Sequence, residues 1–284
     1  MYQTKCVKNL PPFDMAQDST TDLSEDHTFL EHGHGTMEAL ASLKFISGTI
    51  IWLDIISCVT SGHTPQLMPF HTALLAPQPQ ISLEAIMGCR NWVMLQMSRI
   101  SALHELKTKA MQQQHSGCTE IERIHTDISQ DIHCGLARLA LEGFNLSEHT
   151  AAATSDSTSD SATTVTHIFA FMATIYLHLV MEGFHNLQVL ETNMAEAIEL
   201  IRSRLPPQLL PALVLPLFVI GSVAGPGDEQ FFQDVFSSPM LLNPVLKSRA
   251  TILPVLEDIW SKRRTTLVMT WGHCLELTNG MLLI

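Results

Sequence analysis

Charge is what this sequence has least of. Asp, Glu, Lys and Arg make up only 15% of its 284 residues, against roughly a quarter in ordinary globular proteins. The charged set is also lopsided, with 16 basic and 28 acidic residues and a formal net charge of −12. So few cations argue against direct binding to nucleic acid, where affinity comes from clustered Lys and Arg that displace counterions. Paired cysteines are missing too. The six cysteines, Cys6, Cys58, Cys89, Cys118, Cys134 and Cys274, are widely separated and never form Cys-x-x-Cys. That spacing excludes the usual structural zinc clip and disfavours a disulfide scaffold, and it points to a reducing compartment. The first 30 residues carry no apolar core, so they do not read as a secretory signal, and their acidity argues against a mitochondrial transit peptide. No persuasive alternation of apolar and polar residues marks a strand, and no fixed repeat period is present.

What the sequence has in quantity is apolar residues, 46% of the total. Residues 1–35 read as an irregular acidic tail, and residues 36–284 as one all-α, multi-helix globular domain of eight to ten helices. Apolar residues dominate from Thr36 to Ser61, including Leu43, Ile46, Ile50, Leu53 and Val59. The Pro- and Gln-rich stretch 65–80 reads as a loop. A helical segment from Ser82 to Gln114 contains Gly88, which weakens its middle. The next is the best defined. Thr119 and Glu122 form a capping box, and Ile121, Ile124, Ile128, Ile132, Leu136 and Leu139 recur at steps of three and four, up to a stop at Gly143. Residues 150–163 are of low complexity and read as a mobile loop. Helices follow at Val165–Met181, stopped by Gly183, and at Leu187–Arg204. Pro211 and Pro216 should kink the next segment, and Gly225-Pro226-Gly227 should break the chain. Further helical segments are expected at 228–236, 244–261 and 270–282.

Two uncharged stretches, Ser161–Met181 and Leu205–Gly227, reach the roughly 20 residues of a membrane span. The first holds His167 and His178, and the second holds five prolines. No basic cluster on one flank orients either, so both read as buried core helices and no membrane is expected.

Several groupings resemble chemistry without completing it. His27, Glu31, His32 and His34 bring metal-binding side chains together in an irregular region. His178, Glu182 and His185 lie at i, i+4 and i+7, but Gly183 should end their helix and misalign the last. The adjacent pairs His133-Cys134 and His273-Cys274 point about 100° apart on a helix, which makes poor dyads, so these are read as buried structural cysteines. Gly221–Gly227 lacks the Lys-Ser/Thr of a phosphate loop and reads as a helix stop. Lys262-Arg263-Arg264 is the one compact basic run. It reads as a solvated complement to its own helix C-terminus, with nuclear import as the alternative. No catalytic, cofactor-binding or metal-ligating residue is assigned.

From Phe45 onward the sequence resembles a known family. The stretches that carry this are ISGTIIWLDIISCVTSGHTPQL (46–67), IMGCRNWVMLQMSRISALHELKT (86–108), HIFAFMATIYLHLVMEGF (167–184), LPPQLLPALVLPLFVIGSVAGPGDEQFF (205–232) and LKSRATILPVLEDIWSKRR (246–264). They are similar to the regulatory domain that follows the Zn2Cys6 zinc cluster in fungal transcription factors, of the acriflavine sensitivity control type. The resemblance implies an all-α fold, a nuclear role in transcription regulation linked to secondary metabolism or drug response, and no enzyme activity. The alternative is a helical enzyme or accessory protein of secondary metabolism. The six-cysteine zinc cluster of the family is absent from these residues, so its DNA binding does not carry over. The family's front helices are also expected to be missing ahead of Phe45, as in an N-terminally truncated relative. The partners implied are a second copy of the chain or another regulator, met through apolar helix faces, together with a small apolar effector.

Overall fold

A computed structural model describes residues 28–76, 79–113, 118–149, 157–242, 247–266, 268–278 and 281–284, with side chains throughout except at 28–36, 118, 143–149, 157–160 and 247. These residues form eleven α-helices and three 3-10 segments, and no strand occurs among them. The chain divides into two compact units, residues 1–42 and 43–284. What is described of the first is helix, the opening part of α1 (Thr28–Ser61). Among the described residues, helical structure is therefore present from Thr28, ahead of the expected Thr36.

The second unit is built around α6 (Ser157–Glu182), which packs against α4 (Asn91–Gln113), α5 (Cys118–His149), α7 (Glu191–Ser203) and α8 (Val214–Ser222). The reason is in its sequence. From Val165 to Val180 the helix is apolar on nearly every side, and a helix apolar all round finds no stable place except an interior. Of its span-like apolar window, 78% is buried, as expected of a core helix. The 205–227 stretch does not form a single long helix either. It splits into a 3-10 segment, Pro207–Leu213, and the fully buried nine-residue α8. Pro216 does not kink α8, because it sits in the first turn, where its missing N–H has no intrahelical acceptor to lose.

The stripe on α5 faces inward as its spacing predicts. Ile128, Ile132 and Leu139 are buried, and Ile121, Ile124 and Leu136 pack partly buried against the core. Gly143 does not end this helix, which continues to His149. Glycine lowers helix stability by only about 1 kcal/mol, too little to stop a helix whose preceding turns are anchored by packing. Other loops are shorter than expected. Met68–Leu75 forms α2 inside the stretch 65–80, and α6 begins at Ser157 inside 150–163, while residues 150–156 lie outside the described set.

Gly88 does more than weaken a helix. It takes φ +77° and ends α3 (Glu84–Met87), so α4 starts afresh at Asn91. The Asn91 amide then pins the incoming loop. Its Oδ1 accepts from Leu83 N–H at 2.8 Å, and its Nδ2 donates to Leu75 O and Ile81 O. Gly183, at φ +66°, ends α6 as expected, and a Cβ there would lie 2.6 Å from Met269 O.

The C-terminal helices close the core with aromatic contacts. Trp271 opens α11 (Trp271–Thr278), and its ring meets Tyr176 and Phe218 edge-on at 5.6 and 6.4 Å. Its Nε1 donates to Val59 O at 3.3 Å, which ties α11 to α1. In α10 (Ile252–Thr265), Trp260 Nε1 donates to Gly221 O at 2.8 Å.

Candidate functional site

The residues flagged by sequence do not converge on one site. His27 and the side chains of Glu31, His32 and His34 lie outside the described residues, and among the described ones no three His, Cys, Asp or Glu side chains gather as metal ligands. The histidine–cysteine pairs diverge as their adjacency requires. Cys274 is buried and its thiol is pushed up to about 12 by burial, while His273 faces out and accepts Thr270 N–H through Nδ1 at 3.0 Å. His133 and Cys134 are both exposed, which corrects the expectation of a buried Cys134. They sit off the Ile128–Ile132–Leu136 stripe, on the side of α5 turned to solvent.

The basic run is split by the fold. Lys262 and Arg264 are exposed, and Arg264 pairs with Glu229 at 2.7 Å. Arg263 turns inward instead of staying solvated. Its Nη1 donates to Ser222 O at 2.9 Å and Ala224 O at 2.8 Å, and its guanidinium lies 5.4 Å from the Phe184 ring centre. It therefore serves the end of α8 rather than that of its own helix. A cleft of about 220 Å³ lined by Phe184, Trp260 and Arg263 is walled by these structural contacts.

One grouping that the sequence does not reveal is assembled by the fold. Asp54 on α1, His71 on α2 and Ser98 on α4 are brought together from 17 and 27 residues apart. His71 Nδ1 lies 2.9 Å from Ser98 Oγ, and its Nε2 lies 3.5 Å from Asp54 Oδ2. At 3.5 Å the second contact is an ion-pair distance with poor hydrogen-bond geometry, and Nε2 has no hydrogen-bond partner. The composition is that of a hydrolase triad, but the geometry is not. His71 and Ser98 are each 1% exposed, so no substrate reaches the hydroxyl. Burial holds the His71 imidazole below its usual range, against the pull of Asp54. Asp54 meanwhile accepts from Gln66 N–H at 3.0 Å and Leu67 N–H at 2.8 Å, fixing the turn that leads into α2. The grouping is a polar pin joining α1, α2 and α4.

His178 and His185 are linked, but not ring to ring. His178 Nε2 lies 2.7 Å from the backbone carbonyl of His185, across the Gly183 turn. Glu182 and His185 instead edge a cleft of about 400 Å³ between α4, the end of α6 and the start of α11. That volume lies in the range of small-molecule sites. Its walls include Leu179, Met181 and Trp271, with His104 and Lys107 entering from α4. Lys107 Nζ donates to Val180 O and Met181 O, the free carbonyls at the C-terminal end of α6. Burial pulls the Lys107 amine down and the His104 imidazole down as well. The Leu-, Val- and Met-rich end of α6 is visible in the sequence, but the approach of Lys107 from 73 residues away is not.

The second open feature is a surface. On α1, Leu43, Phe45, Ile46 and Ile50 are each at least half exposed, whereas Ile51, Ile55, Ile56 and Val59 further along are in the core. The stretch Met37–Ser61 is apolar and long enough to cross a membrane, with 22% of its window buried. Its latter half carries Asp54 and packs into the core of the second unit.

Comparison with known proteins follows the fold. Residues 16–284 match the fungal specific transcription factor domain, so the match begins well ahead of Phe45, in the region expected to lack the family's front helices. The chain is 37% identical over 280 residues to pestheic acid cluster transcriptional regulator 3 of Pestalotiopsis fici, covering 98% of this chain and 49% of that protein. It is 28% identical over 263 residues to a trichothecene biosynthesis transcription regulator of Fusarium sporotrichioides, covering 91% of this chain and 57% of that one. With the transcription factor dibT of Pestalotiopsis microspora the identity is 25% over 253 residues, 81% of this chain and 39% of the relative. The chain thus spans about half the length of the curated relatives it matches. No solved structure matches it. With a family match running from residue 16 to residue 284, the chain belongs to the fungal specific transcription factor domain family.

Proposed function

We propose that this chain regulates transcription of a secondary-metabolite gene cluster, in the nucleus, through protein contacts made on α1 rather than by reading DNA itself. The observation that carries this is the face formed by Leu43, Ile46 and Ile50, each at least half exposed. Residues 43, 46 and 50 follow helical spacing, so they form one stripe, and such an apolar patch on a charge-poor chain is an interaction surface in need of cover. The occupant proposed is a second copy of the chain, since a stripe on a helix pairs with itself in a symmetric dimer. The net charge of −12 and the absence of Cys-x-x-Cys support the negative statement on DNA. The regulators named above, of the pestheic acid and trichothecene pathways, support the gene-cluster role. The enzyme alternative draws no support from Asp54, His71 and Ser98, because the hydroxyl is sealed from substrate.

Light scattering over a concentration series tests the surface. The wild-type chain is expected to exceed the 31.5 kDa of a monomer as concentration rises, and Ile46→Glu is expected to hold it at that mass. A wild-type chain that stays monomeric, or one that floats with lipid vesicles, overturns the contact proposed. In the parent fungus, deleting the gene should change the transcript levels of a neighbouring biosynthetic cluster, and the Ile46→Glu form should fail to restore them. Unchanged transcripts on deletion would refute the regulatory role, and sequence-selective retardation of duplex DNA by the purified chain would refute the negative statement.

A further inference from the structure

The cleft between α4, α6 and α11 has the size and lining of a ligand site. Its floor is apolar, with Leu179 and Trp271 buried and Met181 beside them. Two polar groups enter it from α4, the His104 ring, whose Nδ1 has no hydrogen-bond partner, and the Lys107 ammonium. An ammonium carries three donors, and two of those on Lys107 are taken by Val180 O and Met181 O. The third has no carboxylate within ion-pair reach, since no salt bridge of Lys107 occurs among the described residues. Lys107 is half-buried, so water reaches that donor less freely than it reaches a surface lysine.

Charge around the cleft decides what kind of acceptor fits. The positive charge of Lys107 meets the partial negative charge of the α6 C-terminus and the full charge of Glu182 on the rim. Burial holds the His104 imidazole below its usual range, and His185 faces solvent on the outer edge. The site has a directed donor and apolar walls but no surplus of positive charge. A carboxylate therefore gains little there, whereas a neutral oxygen acceptor gains a hydrogen bond without unbalancing the field.

We propose that this cleft binds a compact, uncharged, apolar organic molecule that presents one carbonyl or hydroxyl oxygen to Lys107. The volume of about 400 Å³ suits a ligand of two or three fused or linked rings rather than a single small solvent-sized molecule. This deepens the regulatory reading by giving it a chemical input, but binding itself does not depend on that reading. A chain that takes up the ligand yet regulates no genes leaves the site standing.

The test is a titration of the full chain with the neutral naphthyl ketone dye Prodan, whose emission reports both apolar surroundings and donation to its carbonyl. The expected result is saturable, blue-shifted binding at one molecule per chain. Lys107→Met should weaken it about tenfold or more, the range of one hydrogen bond from a charged donor. Because Lys107 also ties α4 to α6, a second variant guards against loss of fold. Gly272 lines the cleft, and a Cβ there meets nothing nearer than Thr270 Oγ1 at 3.5 Å, so the backbone accepts a side chain at that position, and Gly272→Leu, by occupying the cleft, should abolish binding. Naphthoate, the carboxylate control, should compete no better than the ketone. Dye binding that survives Gly272→Leu, or that is lost instead in Ile46→Glu, places the dye elsewhere and overturns the proposal. Tighter binding of naphthoate than of the ketone overturns the charge argument.

Discussion

Gly135 offers a contest between two effects of known size. It lies in the interior of α5, where replacing glycine with alanine ordinarily stabilises a helix by about 1 kcal/mol. Here a Cβ would lie 2.3 Å from both Cη2 and Cζ3 of Trp92 and 2.8 Å from Cε3. Carbon atoms rest about 3.5–4.0 Å apart, so the indole would have to retreat by about 1 Å or more. Trp92 is in the first turn of α4 and packs against the core, so its ring cannot swing freely into solvent. Overpacking of this kind costs about 1–3 kcal/mol. The clash should win, and Gly135→Ala should lower stability by about 1 kcal/mol net. The decisive measurement is a double-mutant cycle by urea denaturation, followed by far-UV circular dichroism. In a Trp92→Leu background the obstacle is gone, and Gly135→Ala should then raise stability by up to about 1 kcal/mol. The change of sign corresponds to a coupling energy of about 2 kcal/mol between neighbours. If Gly135→Ala stabilises both backgrounds alike, the close seating of Trp92 on α5 is wrong.

Other substitutions probe the same frame. Ile128 is fully buried on the α5 stripe, so Ile128→Asp should cost about 4 kcal/mol or more, and an unchanged melting temperature would show that the stripe is not buried. Arg263→Met should destabilise by about 2–3 kcal/mol, because it strands Ser222 O and Ala224 O, whereas Lys262→Met should have little effect. Equal effects from the two would mean that Arg263 is an ordinary surface cation. Acid should weaken the fold below about pH 6.5. His71, His104 and His167 are each held below the usual imidazole range, chiefly by burial, so below that pH the unfolded chain binds protons that the folded chain refuses. Their contribution is full above about pH 6.5 and declines as pH falls, while that of Glu105, held at about 2 by Lys109 and Thr64, is lost only below about pH 4.5. Urea midpoints that rise on going from about pH 7.5 to about pH 5.5 would contradict this sign.

The sequence alone determined the class of the fold. Period and capping depend on neighbours a few residues apart, so the α5 stripe, the stop at Gly183 and the burial of α6 could all be read from spacing and composition. The long apolar blocks also carried the family, because they record which faces the fold must bury. Tertiary structure decided what local rules leave open. It kept α5 running through Gly143, since packing outweighs one unfavourable propensity, and it put Cys134 outside because α5 shows that side to solvent. It drew Arg263 out of a basic run to serve the end of α8, and it joined Asp54, His71 and Ser98 from three helices. The cleft was equally illegible in one dimension. Its donor and its acceptors come from residues 107, 180 and 181, and no pattern within one helix specifies which other helix end a lysine will meet. Short-range periodicity fixes what each segment is, while the pairing of distant side chains follows only from how the buried faces are shared among helices.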